Sequence, residues 1–345
     1  MLELLLGSNN TDAFVGSSEE ETSNQSPLYQ VMGILSIVVC CIIVLTGVLG
    51  NLLVIIAVFI NKQMGNTPNI LIASLAVADL SFIVLCVPFA TYAALRAKWP
   101  VGQASCKVLS YATFATSCIS IFTLILMSLD RYLAIVHPAS RNIRTKRNAY
   151  IGIATTWVAG LSANIPVYFT FRVEEYAVNE EQRSRCSPTS WPNALFTTFF
   201  VTGYIIPLSI IIILNGLTVK HMLCDVNIIV SQSEESMRCR RRASKMVVVV
   251  VAVFAICWLP NHIRLMYISY RADPKTTEFY ILATISQILC YSNSCVNPII
   301  YSFMSENFRK EFRKHLCSKI LLNARKTFTV RRSKKTFVCI VASEC

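Results

Sequence analysis

Charge is scarce in this chain. Only 15% of its 345 residues are charged, where a soluble domain carries about 25%. Acid is scarcer than base: 19 Asp and Glu stand against 32 Lys and Arg, for a net charge of +13. Histidine occurs four times, scattered at His137, His221, His262 and His315. Fourteen cysteines include no C-x-x-C pair, which excludes a zinc ribbon or similar metal module. Strands of ten alternating residues are missing, so a membrane β-barrel is excluded. Internal repeats are missing too, which argues against a transporter or channel. No nucleophile–base constellation points to an enzyme. What remains is apolar: 54% of residues are hydrophobic and the mean hydropathy is +0.52. That composition belongs to a membrane protein. The basic excess then fits anionic lipid and a cytoplasmic surface, with no nucleic-acid partner.

Seven apolar stretches lie near 31–60, 68–95, 104–136, 149–171, 193–222, 245–270 and 277–303. Each reaches the roughly 20 residues that a helix needs to cross a bilayer. The fold class predicted is an all-α seven-helix membrane bundle over 31–303. No basic residue precedes Lys62, and Glu19, Glu20 and Glu21 make the N-terminal segment acidic. The loops after span three and before span six are basic, as is the tail. By the positive-inside rule these lie in the cytoplasm, which puts residues 1–30 outside the cell. Two glycosylation sequons, at Asn9 and Asn24, fall on that outer side. The opening "LELLL" is too short for a signal-peptide core, so span one is expected to act as the anchor. Cys106 and Cys186 are both outside by this topology, and a bridge between them would pin the loop before span five over the bundle mouth. Cys40, Cys41, Cys86, Cys118, Cys257, Cys290 and Cys295 sit in apolar runs and read as small buried hydrophobes. Residues 304–318 carry Phe308, Phe312 and Leu316 on one face with basic residues beside them, an amphipathic helix for the membrane surface. Cys317 at its end is a palmitoylation candidate. Residues 319–345 read as a disordered cytoplasmic tail.

Polar groups inside the apolar spans need partners. Asn51 lies in span one, Asp79 in span two, Ser120 in span three, and Asn293, Ser294 and Asn297 in span seven. The last three share one helix face. Their chemistry admits two readings: a small cation held by oxygens, or a water-filled hydrogen-bonded network. Span three ends in Asp130-Arg131-Tyr132. Span six carries Trp258 two residues before Pro260, and span seven carries Pro298. Each proline removes a backbone hydrogen bond and makes its helix bendable.

The order of landmarks is specific. It runs Gly50-Asn51, "LAVAD" ending at Asp79, Cys106, "DRY", Trp157, Pro207, "CWLP" and "NPIIY" ending at Tyr301. It resembles the rhodopsin-like family of G-protein-coupled receptors over residues 31–317. The resemblance implies a plasma-membrane receptor with a ligand site in the outer half of the bundle. It also implies a heterotrimeric G protein on the cytoplasmic face, with arrestin and receptor kinases as further partners. No cofactor is required. Sodium as an allosteric ligand is implied at Asp79, with Ser120, Asn293, Ser294 and Asn297 at the matching positions; this favours the ion reading. Asp130, Arg131, Tyr132, Pro260, Pro298 and Tyr301 are the implied activation and G-protein residues.

Thr113 stands where amine receptors carry an aspartate, and Tyr291 stands where opsins carry the retinal lysine. "SIFTLILMSLDRYLAIVHP", "CWLPNHI" and "YSNSCVNPIIYSFMSENFRKEFR" look most like galanin and allatostatin-A type neuropeptide receptors. Another peptide class, somatostatin- or opioid-like, or a non-signalling decoy are the alternatives. Expected ligand contacts are Trp258, His262, Arg264, Tyr291, Thr113, Phe114 and Ser117. His262 is expected to face the pocket, one turn above Trp258. Glu174 and Glu175 are candidates to attract a basic peptide end. Asn215 departs from the family, which usually carries a tyrosine eight residues after the span-five proline. No acid stands at the cytoplasmic foot of span six to pair with Arg131.

Overall fold

The computed structural model describes residues 27–96, 98–99, 101–178, 181–189, 192–224, 234–270 and 277–314. The sequons, Leu316, Cys317 and the tail lie outside these residues. Span one is a single helix, Pro27–Ile60. Span two has two pieces, Thr67–Leu85 and Val87–Arg96. Span three is Gly102–Ile135. Span four is Lys146–Ala163 followed by Ile165–Thr170. Span five runs from Pro192–Phe200 through a π turn at Val201–Ile205 into Ile206–Cys224. Span six is Glu234–Tyr270 and span seven is Thr277–Met304. Residues 306–314 form a further helix.

Six helices among the described residues are long and apolar enough to cross a membrane. Span four is not among them: its 18-residue first piece opens on Lys146, Arg147 and Asn148, and Asn164 and Pro166 separate it from the second piece. Pro88 divides span two in the same way. Side-chain caps fix two helix starts. Asn66 accepts from the amide of Asn69 at 3.1 Å, and Thr145 from that of Asn148 at 3.2 Å.

The bundle is polar within and apolar without. Asn51, Asp79, Thr123, Ser128 and Asn297 are buried, while Val31, Leu45, Phe59, Ile212 and Ile256 are exposed. Such an exposed apolar belt fits lipid and no aqueous surface. Cys41 belongs to that belt; the other six cysteines of the apolar runs are buried. Trp157 donates its indole N–H to Ser74 Oγ at 3.1 Å and so ties span four to span two.

Small residues set the closest approaches. A Cβ on Gly50 would lie 2.8 Å from Pro298 Cβ, and one on Gly160 would lie 2.5 Å from Ile119 Cγ1. Spans one and seven meet at the first, spans three and four at the second. Gly160→Val should therefore destabilise the bundle by about 1–3 kcal/mol. A lowered melting midpoint of the purified protein checks this; an unchanged midpoint would mean that the two spans part freely.

One feature was not expected from the sequence. The loop after span four is an antiparallel hairpin, β1 (Phe171–Val178) against β2 (Glu181–Pro188), with Val173 opposite Cys186. Cys186 is bonded to Cys106 at the head of span three. Gln103 Oε1 accepts from the Val173 amide at 2.9 Å, and Ser184 Oγ from the Trp99 amide at 2.9 Å. The hairpin thus sits over the mouth of the bundle.

Candidate functional site

Beneath the hairpin lies a cavity of about 180 Å³. Thr113, Phe114, Trp258, Arg264 and Tyr291 line it, as expected. The Thr113 hydroxyl donates to its own helix, to Leu109 O at 2.8 Å. Being neutral, it supplies no charge to pair with an ammonium group. Ser117 is buried but does not line the cavity.

His262 departs from the expected place. It is 1% exposed and stands behind the cavity wall. Its ring lies 4.9 Å from Phe199, 4.8 Å from Tyr204 and 6.1 Å from Trp258. Phe199, which does line the cavity, packs at 4.5 Å against Phe114 and covers the imidazole. The π turn below Phe199 is the physical reason. It rotates the outer end of span five relative to a regular helix.

The lining also includes residues not expected from the sequence, among them Phe82, Phe199, Asn261 and Gln287. Gln287 Nε2 donates to Tyr291 OH at 2.5 Å, a four-residue spacing that could have flagged it. Glu174 is not free for a peptide, since Arg185 Nη2 holds it at 3.0 Å.

Below the cavity, Asp79 is 1% exposed. Its Oδ2 accepts from Asn297 Nδ2 at 2.7 Å, with the Ser294 and Ser120 hydroxyls beside it. Asp79 Oδ1, Asn293 Oδ1 and Asn297 Oδ1 have no hydrogen-bond partner among the described residues. Such buried, donor-free oxygens fit a hard cation. One carboxylate among neutral oxygens suits a single positive charge. No cluster of three His, Cys, Asp or Glu side chains for a transition metal occurs among the described residues.

Asn51 is explained by Pro298. The proline has no N–H for the carbonyl of Ser294, four residues earlier. Asn51 Nδ2 supplies the missing donor at 2.9 Å, while also holding Gly47 O at 2.9 Å. Span six has a related device: Tyr204 OH donates to Ala255 O at 2.8 Å, beside the carbonyl that Pro260 leaves without a donor.

At the end of the bundle away from the hairpin, Asp130 holds two arginines. Arg131 Nε donates to Asp130 Oδ2 at 3.1 Å and Arg144 Nε to Oδ1 at 3.1 Å. Asp130 is the only acid paired with Arg131 among the described residues, although span six begins at Glu234 and Glu235. Arg242 there pairs instead with Glu306, just past span seven. Tyr132 OH lies 3.1 Å from His137 Nε2. Asn215 Nδ2 donates to Ser128 Oγ at 3.2 Å and so joins spans five and three. Tyr301 is fully buried, its hydroxyl has no partner among the described residues, and its ring packs at 5.7 Å against Phe308 of the 306–314 helix.

A model described as 7 transmembrane receptor (rhodopsin family) matches residues 50–301. The chain belongs to that family. The receptor is therefore a multi-pass plasma-membrane protein, and it is not an enzyme. It is 41% identical over 281 residues to an allatostatin-A receptor of Bombyx mori, covering 78% of this chain and 76% of the relative. It is 34% identical over 309 residues to galanin receptor type 1 of Rattus norvegicus, covering 87% of each. To galanin receptor 2b of Danio rerio it is 36% identical over 300 residues, covering 84% of this chain and 78% of the relative.

Proposed function

We propose that the receptor binds an extracellular peptide of the allatostatin-A or galanin class in the cavity under the hairpin and activates a heterotrimeric G protein. The observation that carries the peptide class is the 41% identity to an allatostatin-A receptor over most of both chains. The neutral Thr113 and the lack of an Asp or Glu among the described lining residues support it, since a monoamine would find no carboxylate there. The N-terminal segment then faces the outside, and the Asp130–Arg131 end of span three faces the G protein.

The mechanism is a population shift. The peptide binds better to the arrangement in which Trp258 has moved and span six has swung outward about Pro260. Arg131 then leaves Asp130, and Tyr301 moves in beside Asn215. Asp79, Ser120, Asn293, Ser294 and Asn297 would hold sodium. When bound, it neutralises Asp79 and favours the arrangement of spans two, three and seven described above. Asn9 and Asn24 are proposed glycosylation sites and Cys317 a palmitoylation site. Arrestin and receptor kinases are the further cytoplasmic partners, and the 306–314 helix lies on the inner leaflet.

Nucleotide exchange on a purified heterotrimer tests this. A panel of allatostatin-A-like and galanin-like peptides should drive exchange through the purified receptor. Arg131→Gln should reduce that exchange by about 10- to 100-fold, the factor for losing charge-assisted contacts. Its peptide affinity without G protein should stay near that of the wild type. Exchange unaffected by Arg131→Gln would remove Arg131 from the mechanism. Silence across the panel would remove the peptide class.

A further inference from the structure

Arg264 lines the cavity and is 6% exposed. Among the described residues its guanidinium has one protein acceptor, Asn261 Oδ1, at 2.7 Å from Nη2. Nε is buried without a partner among the described residues. Among the described residues no Asp or Glu lines the cavity, and Arg264 is the one charged residue that does. Around it are aromatic rings, Cys290 and Tyr291. A guanidinium carries five N–H donors and no acceptor. A neutral amide satisfies one of them. A cation so buried and so poorly matched leaves a large electrostatic deficit.

We infer that Arg264 is the specificity residue of the cavity, and that it takes a planar oxygen acceptor of the ligand, a carboxylate or carboxamide, while the ligand's aromatic side chains fill the walls. The fork of the guanidinium matches either group, with two N–H on a carboxylate or one on an amide oxygen. The cavity then selects an accepting end of the ligand. The inference rests on the peptide-receptor reading above. The acceptor has two sources, the peptide's C-terminal group or a side chain of Asp, Glu, Asn or Gln.

Peptides of the allatostatin-A and galanin classes that activate the wild type separate these sources. Three forms of each are compared: the parent, one with the terminal carbonyl reduced to an alcohol, and a set with each acidic or amide side chain replaced by leucine. Each is titrated on wild type, Arg264→Gln and Arg264→Lys, with receptor at the cell surface counted by an N-terminal tag. One modification should cost the wild type about 10- to 100-fold in potency. The same modification should cost Arg264→Gln under about threefold, because the partner is already gone. Arg264→Lys keeps the charge without the fork and should fall between; it serves as the comparison if Arg264→Gln does not reach the surface. Reduction giving the coupled loss assigns the chain end; a leucine replacement giving it assigns that side chain. Equal losses from every modification in wild type and variant overturn the inference while leaving the peptide reading standing. Inertness of all peptides on surface-expressed wild type overturns both.

Discussion

Cys106→Ser and Cys186→Ser should each lower peptide affinity by about 100-fold or more, and the double variant should be no worse than either alone. The bond fastens β2 to the head of span three across 80 residues of chain. Cross-links of such separation are worth about 2–5 kcal/mol in small domains. Against that, the hairpin keeps hydrogen bonds from Gln103 and Trp99, each worth about 1 kcal/mol, and the packing of Phe171 on Phe114. Once released, β1 and β2 no longer roof the cavity, and Cys186 and Phe171 leave its lining. Radioligand binding to membranes from cells expressing each variant measures the loss. Wild-type affinity in either single variant would mean that the remaining hydrogen bonds suffice. Losses that add in the double variant would mean that the two thiols act separately.

The second large effect concerns the proposed sodium site. Asp79→Asn keeps the shape of the side chain and an oxygen for Asn297 Nδ2, so the bundle should survive the change. It removes the only carboxylate from the buried oxygen set. For the wild type, exchanging sodium for a bulky organic cation at equal ionic strength should raise agonist affinity about fivefold or more, the usual scale of coupling between two sites. For Asp79→Asn the affinity should be the same in both salts. Equal sodium dependence in the two proteins would exclude Asp79 as the ion's anchor.

Much of this arrangement is legible in the sequence because a polar residue in an apolar span is conspicuous. Asp79 and Asn297 could be paired by type before any distance was known, and they stand 2.7 Å apart. Cys106 and Cys186 were singled out by topology alone. The partner of Asn51 was not legible. Its task depends on a proline more than 240 residues away and on the close approach that Gly50 allows. The position of His262 was misread for a related reason. Counting one turn from Trp258 assumes that the neighbouring span is a regular helix. The π turn at Val201–Ile205 brings Phe199 in front of the imidazole, and no spacing within span six reports that. Arg264, named as a ligand contact from the sequence, does line the cavity, but its near-complete burial against Asn261 was not legible beside Leu265 and Met266. The hairpin was hidden because strand pairing in a loop is set by its anchors, here Cys106 and Gln103, and not by its own composition.

A ligand bound under the hairpin should move the end of span six that lies near Arg131. Arg147 near the start of span four and Arg241 near the cytoplasmic end of span six are both exposed. Spin labels carried on ketone side chains at these two positions leave the native cysteines untouched, and their separation can be measured in lipid nanodiscs. A peptide that drives nucleotide exchange should lengthen that separation, and Pro260→Ala should reduce the shift. An unchanged separation while exchange proceeds at the wild-type rate would contradict the account.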